Sequence, residues 1–268
     1  MHEFGRYAIV VAHPDDEVLW MSSLVAKAEK VVICFGDIPS RPALSVGRRA
    51  AVAALPHPGI DFLDLSESEV FSSAQWPEPA ETPFGLATKR RPYSMAGYDE
   101  GRYRDNYRRL VQHFGATLKG FDSVVTHNPW GEYGHEEHVQ VFRAVEATSR
   151  ELGFAVWVSC YVGNKTLQLM RRHLHRLGTQ TPLLPTDADT YAAFRDIYHR
   201  EGVWTWSPTY PLPACEVFYR LRGPQARDTM DTARHLICCH FPWAGSDPSQ
   251  AQSSLRSRIA ARVRRLLS

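Results

Sequence analysis

Ala12-His13-Pro14-Asp15-Asp16-Glu17 puts one imidazole and three carboxylates into five residues, directly after the apolar run Tyr7–Ala12. Adjacent carboxylates repel and are costly to desolvate unless a cation offsets them. A divalent metal is the simplest compensation. His13 and Asp16 are three residues apart in a turn from strand to helix, a spacing that can bring both to one ion. Helix N-capping accounts for one or two acids in a first helical turn, but not for the His-Pro pair before them. A second cluster, Thr126–His138 (THNPWGEYGHEEH), again follows a strand and opens a helix. His135 and His138 are three apart, whereas the zinc-protease motif H-E-x-x-H has histidines four apart. A histidine pair alone is an ordinary helix start. Two acid/His clusters at equivalent strand ends offer two His and one Asp, the open three-ligand arrangement of catalytic zinc. Ferrous iron accepts the same ligands.

Alternating elements must position these clusters. Tyr7–Ala12, Val31–Phe35, Asp61–Leu65, Ser123–Thr126, Phe154–Tyr161 and Glu216–Leu221 read as strands. Val18–Lys27, Ser45–Leu55, Tyr103–Leu118, Glu136–Leu152 and Leu167–Leu177 read as helices. Such alternation predicts an α/β fold with a mostly parallel sheet, whose functional residues collect at the carboxyl ends of the strands. Two stretches break the rhythm. Ser66–Gly101 is an insertion rich in Pro, Ser, Glu and aromatics, expected to be a lid, a binding loop or disordered. Residues 178–216 hold further prolines and the string Val203-Trp204-Thr205-Trp206.

The chain has 268 residues, with 31 Lys and Arg against 29 Asp and Glu, a net charge of +2. The charged fraction of 22% and hydrophobic fraction of 44% are those of a globular protein. The near-neutral balance argues against a general nucleic-acid binder. No apolar run approaches the ~20 residues of a membrane span. The segment Met1–Arg6 reads as too polar for a signal peptide. Five scattered cysteines, without a C-x-x-C pair, read as reduced thiols of a cytoplasmic protein.

With A-H-P-D-D-E near the N-terminus and G-x-Y-G-H-x-x-H near mid-chain, the sequence resembles the PIG-L/LmbE-like family of zinc-dependent N-deacetylases. The resemblance covers residues 6–165 well and the remainder weakly. It implies a Rossmann-like sheet with helices on both faces over residues 1–222, followed by a C-terminal extension, 223–268. It implies removal of the acetyl group from an N-acetylated amino sugar, N-acetylglucosamine-like, within a glycoconjugate or biosynthetic intermediate. By the same resemblance, His13, Asp16 and His138 are the metal ligands. Asp15 is the general base, Tyr133 an oxyanion donor, and His135 an electrostatic or general-acid group. Glu137 stands where the family usually has an aspartate supporting that histidine. Trp20, bulky where the family often has glycine, is expected to shape the pocket. Arg48, on the following helix, and Arg91, in the insertion, are the candidate substrate contacts.

The chemistry is consistent with the residues alone. Metal-activated water needs a base, which Asp15 can be, and the tetrahedral oxyanion needs donors, which Tyr133 and a protonated His135 can be. There is no G-x-S-x-G elbow, phosphate loop or G-x-G-x-x-G turn. A metal-dependent phosphoesterase and a non-catalytic sugar-binding α/β module remain the alternatives. The tail Ser254–Leu267 has a basic amphipathic pattern. It reads either as a packing helix or as a peripheral contact with an anionic membrane surface.

Overall fold

Five consecutive buried side chains, Tyr7–Val11, form β1, as expected of a strand covered on both faces. In the computed structural model, which describes residues 3–207, 210–227 and 234–239, β1 lies inside a seven-stranded sheet. The other strands are β2 (Lys30–Asp37), β3 (Ile60–Ser66), β4 (Ser123–Thr126), β5 (Ala155–Ser159), β6 (Leu177–Gln180) and β7 (Phe218–Leu221). Their spatial order is β3-β2-β1-β4-β5-β7-β6. The first five are parallel. β7 runs antiparallel to both β5 and β6. The helices are α1 (Asp16–Leu19), α2 (Ser22–Val25), α3 (Pro42–Ala54), α4 (Glu100–Thr117), α5 (Glu136–Leu152), α6 (Leu167–His173) and α7 (Ala188–Arg200).

Period-two alternation along β1 sends its side chains into two cores. Ala8, Val10 and Ala12 join one cluster with Leu110 and Phe114 of α4 and Phe142 and Val145 of α5. Tyr7, Ile9 and Val11 join the other, with Ala51 and Val52 of α3 and Tyr191, Phe194 and Tyr198 of α7. Helices therefore cover both faces, and the mostly parallel α/β sheet is the one expected. After β1 the chain builds β2 and β3 on one side, then returns to add β4 on the other. The crevice above the carboxyl ends of β1 and β4 is thus the topological switch point, where such sheets place their ligands.

Several elements differ from the sequence expectation. The helix expected over Val18–Lys27 is two short helices, broken at Met21, where Trp20 and Met21 turn fully into the core. Leu167–Leu177 is a helix only to His173; one 3₁₀ turn then leads into β6. α7 arises inside the stretch that reads as irregular. Asp187 caps it through Thr190 N, and Tyr191, Phe194 and Tyr198 form its buried stripe. The insertion contains the hairpin Glu81–Thr82/Gly85–Leu86. Beyond residue 222, Ile237–Cys238 pairs in parallel with Tyr161–Val162. The basic pattern over Ser254–Leu267 lies outside the described residues. None of the five cysteines is paired. No helix among the described residues is long and apolar enough to cross a membrane.

Candidate metal centre

The turn after β1 is tight and buried. Asp15 occupies left-handed backbone space at φ 99°, which costs roughly 1–3 kcal/mol for a non-glycine residue and so needs local support. Glu17 gives that support by accepting the Asp15 N–H at 3.1 Å, and its other oxygen accepts the Tyr198 hydroxyl at 2.5 Å. Burial pushes the Glu17 carboxyl up to about 7, against these hydrogen bonds. Asp16 is held from both sides. Its Oδ1 accepts Trp20 Nε1–H and its Oδ2 accepts the His13 N–H, each at 2.8 Å.

The turn after β4 is jointed by glycine. Gly131 (φ 67°) and Gly134 (φ 91°) adopt left-handed conformations. A Cβ at Gly131 would lie 2.6 Å from the His135 carbonyl oxygen, and one at Gly134 would lie 2.4 Å from Lys165 Cε. These two glycines let the chain double back and present His135 as the N-cap of α5, its Nδ1 accepting the Glu137 N–H at 3.2 Å. One turn into α5, His138 faces the first turn. Fully buried Glu132 organises this side. Its Oε2 lies 2.8 Å from His138 Nδ1 and 3.0 Å from His127 Nδ1, while its Oε1 accepts from Asn128 N and Ser159 Oγ.

These bonds set which imidazole nitrogens remain. His127 Nε2 accepts the Ala12 N–H at 2.9 Å, so its Nδ1 carries the proton and donates to Glu132. His138 Nδ1 likewise faces Glu132. Its Nε2 is buried without a hydrogen-bond partner, 3.3 Å from Asp16 Oδ2 but not in hydrogen-bond geometry. His13 Nε2 lies 3.1 Å from Glu137 Oε2, and its Nδ1 lies 3.3 Å from the same Asp16 Oδ2. Two imidazole nitrogens therefore flank one carboxylate oxygen, and both rings are held from behind by another carboxylate, the usual outer support of a metal-ligating histidine. The orphaned His138 Nε2 is what a cation would satisfy: His138 comes within one ion's reach together with Asp16 and His127, and together with His13 and His135, so the donors present fit a divalent metal.

Charge leads to the same place. Burial opposes ionisation of His13, but Glu67, Asp16 and Glu137 outweigh it and hold its pKa up at about 10. The site thus demands a positive charge, from a proton or a metal. Despite burial, the neighbouring histidines hold Asp16 well below the usual carboxylate range. Burial pushes Asp15 the other way, well above that range, reinforced by Asp16 and Glu17 and opposed by Arg48 and His13. Burial, with His13 and His138 nearby, lowers His135. Its Nδ1 is already an acceptor, so it presents a neutral Nε2–H, not the imidazolium expected from sequence. Burial and the surrounding carboxylates keep the Tyr133 phenol protonated.

A cavity of roughly 390 Å³ opens above this centre. Asp15, Tyr133, His135 and Arg48 line it, with Thr205 and Trp206 from the segment after α7 and Phe71 and Met95 from the insertion. Arg48 is buried and pairs with Glu67, a residue with no sequence signal because its partner is 19 positions away. Phe71 stacks on His135 at 4.9 Å, His135 on His138 at 4.8 Å, and His138 on His127 at 3.9 Å. The ammonium of Lys165 lies over the Phe71 ring, 4.7 Å from its centroid.

Three expected site residues stand elsewhere. Trp20 is fully buried behind Asp16 and does not line the cavity, because its indole N–H is committed to Oδ1. Arg91 staples the insertion to itself through Ser73 O, Ala74 O and Gln75 Oε1. The Glu137 side chain supports His13, with its second oxygen accepting Ser68 N–H at 2.6 Å; only its backbone N–H reaches His135. Sequence reasoning missed Glu132, His127 and Glu67. Glu132 and His127 lie inside the second motif, where an acid five residues after a histidine gives no pattern of its own.

The fold and site define an α/β protein with a candidate His/Asp cation centre at the switch point of its sheet. No family model matches the chain, and no curated protein matches it in sequence. Three solved structures similar to it are deacetylases. One is a deacetylase–teicoplanin complex from the biosynthesis pathway of teicoplanin: 14% identity, 81% of this chain and 98% of that one, TM-score 0.47. Another is the A40926 pseudoaglycone deacetylase Dbv21: 13% identity, 87% of this chain and 100% of that one, TM-score 0.47. The third is the zinc-inhibited form of teicoplanin deacetylase Orf2: 13% identity, 85% of this chain and 100% of that one, TM-score 0.48.

Proposed function

We propose that this protein is a metal-dependent N-deacetylase that hydrolyses the acetamide of an N-acetylated amino sugar within a larger glycoconjugate or biosynthetic intermediate. The observation that carries the reading is the convergence of His13 Nδ1 and orphaned His138 Nε2 on one Asp16 oxygen, at the floor of a cavity that also exposes Asp15, Tyr133 and His135. His13, Asp16 and His138 are the ligand set. His127 is excluded because its Nε2 is used by Ala12 N–H. Zinc or ferrous iron held there supplies Lewis acidity, which polarises an amide carbonyl and acidifies water.

The remaining steps belong to side chains of this chain. Asp15 takes a proton from water as the oxygen adds to the acetamide carbon. The Tyr133 hydroxyl and the His135 Nε2–H donate to the oxyanion that forms. Asp15 then returns the proton to the departing nitrogen, so that water is added across the C–N bond and acetate and a free amine result. Thr205 Oγ1, 3.4 Å from Asp15 Oδ2, helps to orient the base. The apolar and aromatic wall of Phe71, Met95 and Trp206 suits a sugar ring and its extension.

Metal analysis combined with acetate release from a panel of N-acetylglucosamine compounds tests this reading. Free, nucleotide-linked, lipid-linked and aglycone-linked sugars make up the panel. Stoichiometric metal with stoichiometric acetate is expected. Phosphate release without acetate would make the protein a phosphoesterase, and a metal-free protein that binds sugar without turnover would make it a binding module.

A further inference from the structure

Glu69 lies in the insertion with its side chain buried and its backbone in the left-handed region at φ 51°. It does not line the cavity. Its two neighbours at a spacing of two do: Glu67 pairs with Arg48, and Phe71 stacks on His135. The Glu69 carboxylate gathers two separate loops. Ser40 donates both its N–H, at 2.8 Å to Oε1, and its hydroxyl, to Oε2. Gly97 donates its N–H to Oε2 at 3.0 Å.

Those two loops contribute three residues to the cavity lining. Ile38 and Arg41 flank Ser40, and Met95 stands two residues before Gly97. The first loop is also tied at its start by Ser45 Oγ on Ile38 N–H at 2.7 Å. The second is tied at its end by Asp99 N–H on Ser68 O at 2.9 Å. Between those ties, one carboxylate sets the distance from one wall to the other. The contact is also sterically closed: a Cβ at Gly97 would lie 2.0 Å from Glu69 Oε1.

We propose that Glu69 is a specificity-determining positioning residue: by clasping Ser40 and Gly97 on one buried carboxylate, it fixes the width of the cavity mouth and thereby selects the part of the substrate that extends beyond the acetamide sugar. This rests on the deacetylase reading for the identity of the substrate, but not for the clasp itself. The catalytic turns belong to the sheet and can recognise only the acetamide and its nearest hydroxyls. Ile38 and Met95 are lining residues that these two loops contribute, so an extension leaving the cavity on this side meets both, and a clasp that holds the loops at one separation keeps those contacts constant. Releasing the clasp loosens those contacts while the hydrogen bonds within the turns that carry Asp15 and His135 remain.

Two variants test the clasp. Glu69→Gln keeps the side-chain size but cannot accept all three hydrogen bonds. Gly97→Ala drives a methyl group into the carboxylate from the other side. In the metal-loaded full chain, acetate release is measured on free N-acetylglucosamine and on its nitrophenyl glycoside. Amide hydrogen exchange is followed at Ser40 and Gly97. Both variants should lower the kcat/KM ratio of glycoside to free sugar by about tenfold, mostly through KM, the scale of one lost apolar contact in a specificity pocket. Exchange at both amides should accelerate at least about tenfold, as local opening of a loop requires. An unchanged ratio, or an equal loss on both sugars, would overturn the assignment. If the wild type releases acetate from neither sugar, the deacetylase reading fails. The clasp is then judged by exchange: lost protection in both variants supports it, and retained protection overturns it.

Discussion

The turns after β1 and β4 stand side by side at the switch point and are built on opposite plans. The first crowds His13, Asp15, Asp16 and Glu17 around one left-handed residue, Asp15, and contains no glycine. The second doubles back through three left-handed residues, Gly131, Glu132 and Gly134, and uses the buried Glu132 carboxylate to orient two imidazoles. The first turn therefore supplies Asp16 and His13, the second decides which imidazole nitrogens face them, and Glu67 and Glu137 add to the negative charge that calls for a cation. A cation site needs both: excess negative charge without oriented ligands would be satisfied by protons, and His13 shows this tendency in its raised pKa.

The largest expected effect comes from the charged turn. Asp15→Asn should retain metal but lower kcat about 10²–10⁴-fold, the usual contribution of a general base. Metal analysis alongside acetate release checks it; near-wild-type turnover would move the base elsewhere, and Glu17, the next acid in sequence, has both oxygens committed to Asp15 N–H and the Tyr198 hydroxyl. On the glycine turn, Tyr133→Phe and His135→Ala should each cut kcat about 10²–10³-fold with little change in KM, since an oxyanion donor acts after binding. Steady-state kinetics separates this from a ground-state binding role, which would appear in KM alone.

A finer comparison sets the two orienting groups against each other. Glu132→Gln disturbs both His138 and His127 and should raise the metal Kd about 10–100-fold, as loss of an outer partner to a ligating histidine does. Trp20→Phe removes the hydrogen bond to one oxygen of Asp16 and should weaken metal binding less. Competition titration with a chromophoric chelator ranks the two, and the reverse order would make the first turn the orienting one.

The smallest effect concerns a carboxylate outside both turns. Glu81 is held below the usual carboxylate range: burial opposes this, but His173, Arg143 and Arg172 outweigh it. Its lowered folded-state value stabilises the protein above the unfolded carboxyl pKa of about 4.3 and loses that contribution as pH falls through the folded value. Urea unfolding of wild type and Glu81→Gln should therefore differ at pH 7 and converge in acid. A constant difference across that range would mean that the residue acts through packing.

How far the sequence could be read follows the range of the interactions. Strand–helix alternation and the two clusters at strand ends depend on near neighbours, and they are visible as apolar runs followed by acids and histidines. The break at Met21, the end of α6 at His173 and the helix α7 are tertiary outcomes. α7 had its own signals in Asp187 and the spacing of Tyr191, Phe194 and Tyr198, which the surrounding prolines obscured. The insertion reads as a lid, a binding loop or a disordered stretch, yet its first part is pinned to the start of α5. Glu136 accepts Ser72 N, Ala74 N and Trp76 Nε1, and Ser68 N reaches Glu137.

By itself the sequence determined the α/β class, the two strand ends where acids and histidines collect and the residue types available there, because these follow from periodicity and from groups within a few positions of one another. Which nitrogen of each histidine is left for a cation was decided by tertiary structure alone. So were the placement of Trp20 behind Asp16 rather than in the cavity, the turning of Glu137 toward His13, and the pairing of Arg48 with Glu67. Each depends on a hydrogen bond or ion pair whose geometry exists only after the strands and helices have packed, and no local pattern encodes the direction in which a buried polar side chain finds its partner.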